Sequence, residues 1–304
     1  RVESGLNCGG HAFSTLGTLL GPILAEFRAR RAELVESLHE LYAKALRALG
    51  RTVPAAPCQV RITAQGGIGT AEEDALLRRH LGVDGTGWGT PWLLVPEAVT
   101  VDAATLERLA LATGDDVTLS QGSPLGIPFW MLKTSTSEQA RRDRIRDGRP
   151  GAPCVKGLMR FNTELTEQPV CTGSRAYQRR RLAVLATEDL TAEQRDALRA
   201  DIEAKACICN DLAGGATVKL GIEPDATPTV CPSPSIADFS RVATIEEMVG
   251  HIYGRLSLLT SSARPHMFVR ELRLNVLVLR RELERQAIEL STRTADHVRE
   301  FRQN

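Results

Sequence analysis

Apolar residues recur along this chain in two rhythms. Between residues 16 and 49, Leu24, Phe27, Leu34, Leu38, Leu41 and Leu46 return at roughly helical spacing among charges, which predicts a helix broken before Pro54 and Pro57. Residues 60–64 instead form a short strand-like run leading into a glycine pair, and the segment from Val83 predicts a second strand that ends in a Gly-rich turn closing on Gly89-Thr90. Between them Thr70, followed three residues later by Glu73, has capping-box spacing and predicts a helix from Ala71 to about His80. A strand–helix–strand unit results, with glycine at both strand ends.

The same reading carries down the chain. It predicts a short helix over 102–112, a strand over 116–120, a loop over 123–132 with its prolines and Phe129-Trp130, and a charged helix over 135–146. Gly148, Pro150, Gly151 and Pro153 then mark a boundary. Beyond it the pattern is mostly helical, over 175–185, 191–205, 248–259 and 268–290. Thr191 with Gln194 and Thr244 with Glu247 repeat the capping device. In the last helix Leu272, Val276, Leu279, Leu283 and Ile288 share one face. Residues 211–216 read as a Gly-Gly turn and 217–220 as a short strand.

Charge and cysteine usage narrow the class. The 304 residues carry 38 basic and 37 acidic side chains, a net charge of +1 that gives no general attraction to nucleic acid or a membrane surface. No apolar run approaches the roughly 18 residues that a membrane-spanning helix needs. Seven cysteines, an odd count in a mid-sized chain, argue against a secreted disulfide scaffold and for a reduced, cytoplasmic setting.

Three groups of residues carry candidate chemistry. Gly66 and Gly67 at one strand end and Gly87, Gly89 and Thr90 at the next leave bare backbone that can close on a phosphate; two ordinary turns are the alternative. His11, directly after Gly9 and Gly10, suits a general base near neutral pH; a histidine bonded within a turn is the alternative. Cys207 and Cys209 are poorly spaced for a mutual disulfide but well placed to share a metal. Cys154, Cys171 and Cys231 can supply the remaining thiolates for a [4Fe–4S] cluster or zinc; buried free cysteines are the alternative.

The order of strand-end motifs is Gly9-Gly10-His11, then Gln65-Gly66-Gly67-Ile68, then Val83-Asp84-Gly85 through Gly89-Thr90, with Leu93, Pro96 and Glu97 beyond. It resembles the nitronate monooxygenase family, also called 2-nitropropane dioxygenases. The resemblance implies the C-terminal part of an FMN-dependent, TIM-type (β/α)8 barrel. FMN would be bound by Gly9, Gly10, Gln65, Gly66, Gly67, Gly87, Gly89 and Thr90, with His11 beside a small-molecule substrate. The chain departs from the family in having Pro91-Trp92 after Thr90 and a longer helical stretch over 16–50. The five earlier barrel strands would precede Val2, so an N-terminal portion or a partner chain is expected to complete the barrel.

The expectation is therefore an α/β chain with a barrel-type flavin- and phosphate-binding region over 1–146 and a mostly helical, cysteine-rich domain over 147–304. The function expected is a flavin-dependent oxidoreductase with a cysteine-ligated centre in its second half, structural or electron-relaying, and with neither nucleic acid nor membrane as partner. Two readings stand beside it: a non-redox barrel enzyme acting on a phosphorylated substrate, and a non-catalytic, metal-stabilised subunit of a larger complex.

Overall fold

The computed structural model describes residues 1–7 and 19–288, in a mixed α/β arrangement. Strands β1 (Val2–Glu3), β2 (Thr63–Gln65) and β3 (Gly85–Gly87) form a parallel sheet in chain order, with Ala64 opposite both Val2 and Thr86. Helices α1 (Leu20–Ala29) and α2 (Arg31–Ala48) lie between the first two strands, and α3 (Ala71–Leu81) between the second and third. Parallel neighbours need such crossovers, because a tight turn returns the chain antiparallel. Leu20 and Leu24 of α1, Leu77 of α3 and Met267 close over Val2, Ile62, Ala64, Ile68 and Val83, burying one face of the sheet.

The single helix expected over 16–49 is two helices within the described residues. Arg30 leaves helical geometry at φ −103° and ψ 15°, and its guanidinium is held by Glu26 and Glu33 on either side of the break. Packing decides this: α1 turns Leu20 and Leu24 into the core beside β1 and α3, whereas α2 buries only Ala43 and Leu46.

After a 3-10 turn at Thr90–Leu94 come α4 (Ala103–Ala110), started by the Asp102 carboxylate accepting from Thr105 N, and an antiparallel pair, β4 (Val117–Ser120) with β5 (Phe129–Leu132). The loop expected over 123–132 is thus a strand in its second part. All four β5 side chains are buried, so two-sided burial erased the alternation that signals a strand. Helices α5 (Thr136–Arg146), α6 (Arg175–Leu185), α7 (Ala192–Ala204), α8 (Ile208–Lys219), α9 (Ile245–Ile252) and α10 (Met267–Ala287) follow. The Gly-Gly turn expected over 211–216 lies inside α8, and the strand expected over 217–220 falls on the last residues and C-cap of that helix. Its glycines serve close packing: a Cβ on Gly214 would stand 3.0 Å from Pro228 Cα.

A large core joins Leu94, Leu109, Trp130 and Leu132 to Val230, Ile236, Phe239, Met248 and Leu258, so residues from both sides of the 147–153 turn share one interior. No helix among the described residues is long and apolar enough to cross a membrane.

Candidate functional site

The β2–α3 turn is held by hydrogen bonds from within α3 and from distant segments. Thr70 Oγ1 accepts from Glu73 N at 3.1 Å, which starts α3 at Ala71 as the sequence predicts. Glu73 does not complete the capping box on Thr70; its Oε2 accepts from Gly69 N at 2.8 Å, and its Oε1 accepts from Met267 N and from Arg264. Gly66 and Gly67 sit at φ 109° and 78°, which side-chain-bearing residues rarely adopt.

Two residues that the sequence did not single out fix this turn from outside. Arg264 Nη2 donates to the Gly67 carbonyl at 2.6 Å while Nη1 donates to Glu73 and Nε to Asp238; the guanidinium stands 2.6 Å from where a Gly69 Cβ would be. Asp238 is in turn held by Arg270. His251 lies 3.1 Å from the Gly69 carbonyl through Nε2 and accepts from Leu258 N at Nδ1, a pairing that suits the neutral ring protonated at Nε2. Burial, with the nearby Arg264 charge, holds its pKa below the ordinary value.

Gln65, Gly66, Gly67 and Ile68 from this turn, and Gly87, Trp88, Gly89 and Thr90 from the next, line one cavity of about 490 Å³. That lies within the roughly 300–1,000 Å³ range of ligand pockets. A Cβ on Gly89 would meet no atom within 4 Å, so that backbone faces open space. Gly87 is explained differently: its Cβ would fall 2.6 Å from Gln65 Oε1, whose amide bonds Glu3. Among the described lining residues the charged pair is Arg1 and Glu3, bridged to each other, so little fixed charge is left over for a ligand.

Asn7 also lines the cavity and is its most unusual member. It is 2% exposed, and neither its Oδ1 nor its Nδ2 has a hydrogen-bond partner. Buried carboxamides are nearly always bonded, because leaving one unpaired costs about 1–3 kcal/mol. Nothing in the chain marks Asn7 beyond its place before Cys8. Cys8, Gly9, Gly10 and His11 themselves lie outside the described residues.

The cysteines divide. Cys231 lines the cavity, and burial pushes its thiol up to about 11 with only the Trp130 backbone opposing. Cys154, Cys171, Cys207 and Cys209 gather elsewhere. The Cys171 thiol interacts directly with Cys154 and senses Cys209; the Cys207 thiol interacts directly with Cys209 and senses Cys154. Burial first, then these neighbours, push Cys171 up to about 11 and Cys207 up to about 12. Cys58 is exposed and separate. Among the described residues no three His, Cys, Asp or Glu side chains are grouped to hold a metal ion as they stand.

No protein-family model matches this chain, and no curated protein matches it either.

Proposed function

We propose that the chain is a flavin-dependent oxidoreductase, similar in mechanism to the nitronate monooxygenases, with the FMN phosphate held between the Gln65–Ile68 and Gly87–Thr90 turns. The observation that carries this reading is that both glycine turns open on one cavity. Peptide N–H groups there can take an anion without a paired cation, which suits a cavity whose lining charges neutralise each other. Trp88, Ile68, Pro91 and Leu93 add an apolar flank, which favours a ligand with a large flat ring over a small phosphorylated sugar.

Bound flavin supplies hydride acceptance. The protein's share is orientation: Arg264 and Glu73 hold the first turn, the free Asn7 carboxamide offers a donor and an acceptor, and His11 takes the proton from a small-molecule substrate. The three parallel strands in chain order are read as consecutive strands of a TIM-type barrel completed by an N-terminal portion or a partner chain.

The test is titration of the full chain with FMN, followed by flavin fluorescence quenching and a visible spectrum of the protein after removal of free flavin. Stoichiometric, retained flavin is expected. A chain that leaves FMN free, or binds inorganic phosphate and sugar phosphates in its place, overturns the reading.

A further inference from the structure

We infer, on the reading of the glycine-turn cavity as the FMN phosphate site, that Ser235 is a phosphate ligand there, its hydroxyl hydrogen left for the anion by a relay from Thr90 through Ser233. Ser235 brings to the site a side chain from the second half of the chain.

The segment that carries Ser235 has few donors to give. Residues 232–235 read Pro-Ser-Pro-Ser, and proline has no N–H, so their backbone offers the amides of Ser233 and Ser235 alone. Both are used within the protein: Ser233 N donates to Thr90 Oγ1 at 3.1 Å, and Ser235 N donates to Ser233 Oγ at 3.3 Å. What remains for a ligand is a hydroxyl.

The direction of the hydroxyl chain decides which one. Thr90 Oγ1 accepts from Ser233 N and gives its own hydrogen to Ser233 Oγ at 2.9 Å. Ser233 Oγ thus accepts twice, from Thr90 and from the Ser235 amide, which fills the two lone pairs of a hydroxyl oxygen. Its hydrogen goes to the hydroxyl beside it, Ser235 Oγ. No acceptor among the described residues takes the hydrogen of Ser235 in turn. Ser233 and Ser235 are each 2% exposed, so neither is turned to bulk solvent, and Ser235 lines the cavity together with Gly87, Gly89 and Thr90.

A buried donor left open in a cavity wall is one that a ligand acceptor can fill. Each hydroxyl in the relay polarises the next, which strengthens the last donor, and bonds to an ionised oxygen gain most from this. Arg1, the cation among the described lining residues, is bridged to Glu3, so neutral donors carry the anion: the turn amides and the Ser235 hydroxyl. Thr90 has no hydroxyl hydrogen left for a ligand. It is a positioning residue, and its effect reaches the anion through Ser233 and Ser235.

FMN, riboflavin and inorganic phosphate are titrated calorimetrically into the full chain and into Ser235→Ala, Thr90→Val and Thr90→Ser, with a melting curve for each. Ser235→Ala should weaken FMN and inorganic phosphate at least ~10-fold and leave riboflavin, which lacks the phosphate, within ~2-fold. Thr90→Val should lose part of the same affinity and Thr90→Ser regain it, a rescue that packing of the Thr90 methyl group would not give. Ser235→Ala also removes the acceptor of the Ser233 hydroxyl; should it unfold, Ser235→Cys, with a weaker donor and acceptor, decides through a loss of at least ~3-fold confined to FMN and phosphate. Affinities indifferent to Ser235, an equal loss for riboflavin, or no rescue by Thr90→Ser overturns the inference and leaves the flavin reading standing. A wild-type chain that binds inorganic phosphate but not FMN overturns the flavin reading, and the phosphate titrations of the variants then decide the role of Ser235. A chain that binds neither overturns both.

Discussion

Arg264 Nη1 stands 2.6 Å from Glu73 Oε1, with the two side chains 4% and 2% exposed, across 191 residues of chain. This pair joins the approach to α10 to the first turn of α3, and through Gly67 it fixes the backbone that lines the cavity. Removing one member leaves the other charge buried and unpaired, which typically costs 3–5 kcal/mol. Arg264→Met is expected to lose about that much in urea unfolding, while Glu73→Gln, which keeps an acceptor, loses less. Equal stability of Arg264→Met and wild type would show that the pair does not hold the turn.

Gly89 and Gly67 separate ligand binding from folding. Gly67→Ala meets both a left-handed backbone and the Asn7 amide 2.9 Å away, so stability should fall by about 1–3 kcal/mol. Gly89→Ala places its methyl in open space at φ −110°, so stability should stay within about 0.5 kcal/mol. If the phosphate lies there, FMN affinity of Gly89→Ala falls at least ~10-fold, equivalent to about 1.4 kcal/mol. An unchanged affinity places the phosphate elsewhere.

Asn7 should show a trade between stability and binding. Its carboxamide is unpaired in the ligand-free protein, so Asn7→Leu, similar in size, is expected to match or exceed the wild-type melting temperature. The same variant should bind FMN more weakly. A clear loss of stability would mean that the amide has a structural role.

Two buried groups give opposite responses to pH. Burial raises the pKa of Glu271 above its ordinary 4.5, despite hydrogen bonds from Ser4 Oγ and Leu20 N. The folded form therefore holds this proton more tightly than the unfolded form. The stability it adds is fully present below pH 4.5 and lost as pH rises through the folded value. Glu271→Gln removes that dependence, so its melting temperature should gain on wild type as pH rises.

His251 runs the other way. Its pKa is depressed below 6.5, chiefly by burial and then by Arg264, with the Gly69 carbonyl and Glu72 opposing. Its stabilisation is present above pH 6.5 and lost as pH falls through the folded value, where protonation also removes the Nδ1 acceptor of Leu258 N. Melting curves of His251→Gln should be lower than wild type near pH 7.5 and lose less on acidification. Parallel curves would show that the ring does not titrate in this range.

Much of the local structure was legible because it rests on neighbours in sequence. Thr70 and Thr191 start α3 and α7 where their spacing predicts, and Thr244 caps α9, which runs over Ile245–Ile252 rather than 248–259; the N-caps are legible because a cap and its third residue are always within reach of one another. Gly66 and Gly67 likewise mark a turn through backbone freedom alone. The strand β5 and the glycines inside α8 were misread, because two-sided burial hides alternation and close packing asks for glycine as a turn does.

The capped starts of α3, α7 and α9, the glycine strand ends and the concentration of cysteines in the second half follow from residues near one another in the chain. That Arg264 and His251 hold the first turn, that Asn7 and Cys231 line a cavity shared by both turns, and that four other thiols lie apart from it, came only from long-range packing. Reach separates the two. Caps and turns act over three or four residues, whereas a buried charge, an imidazole or a thiol finds its partner only after distant segments have packed together.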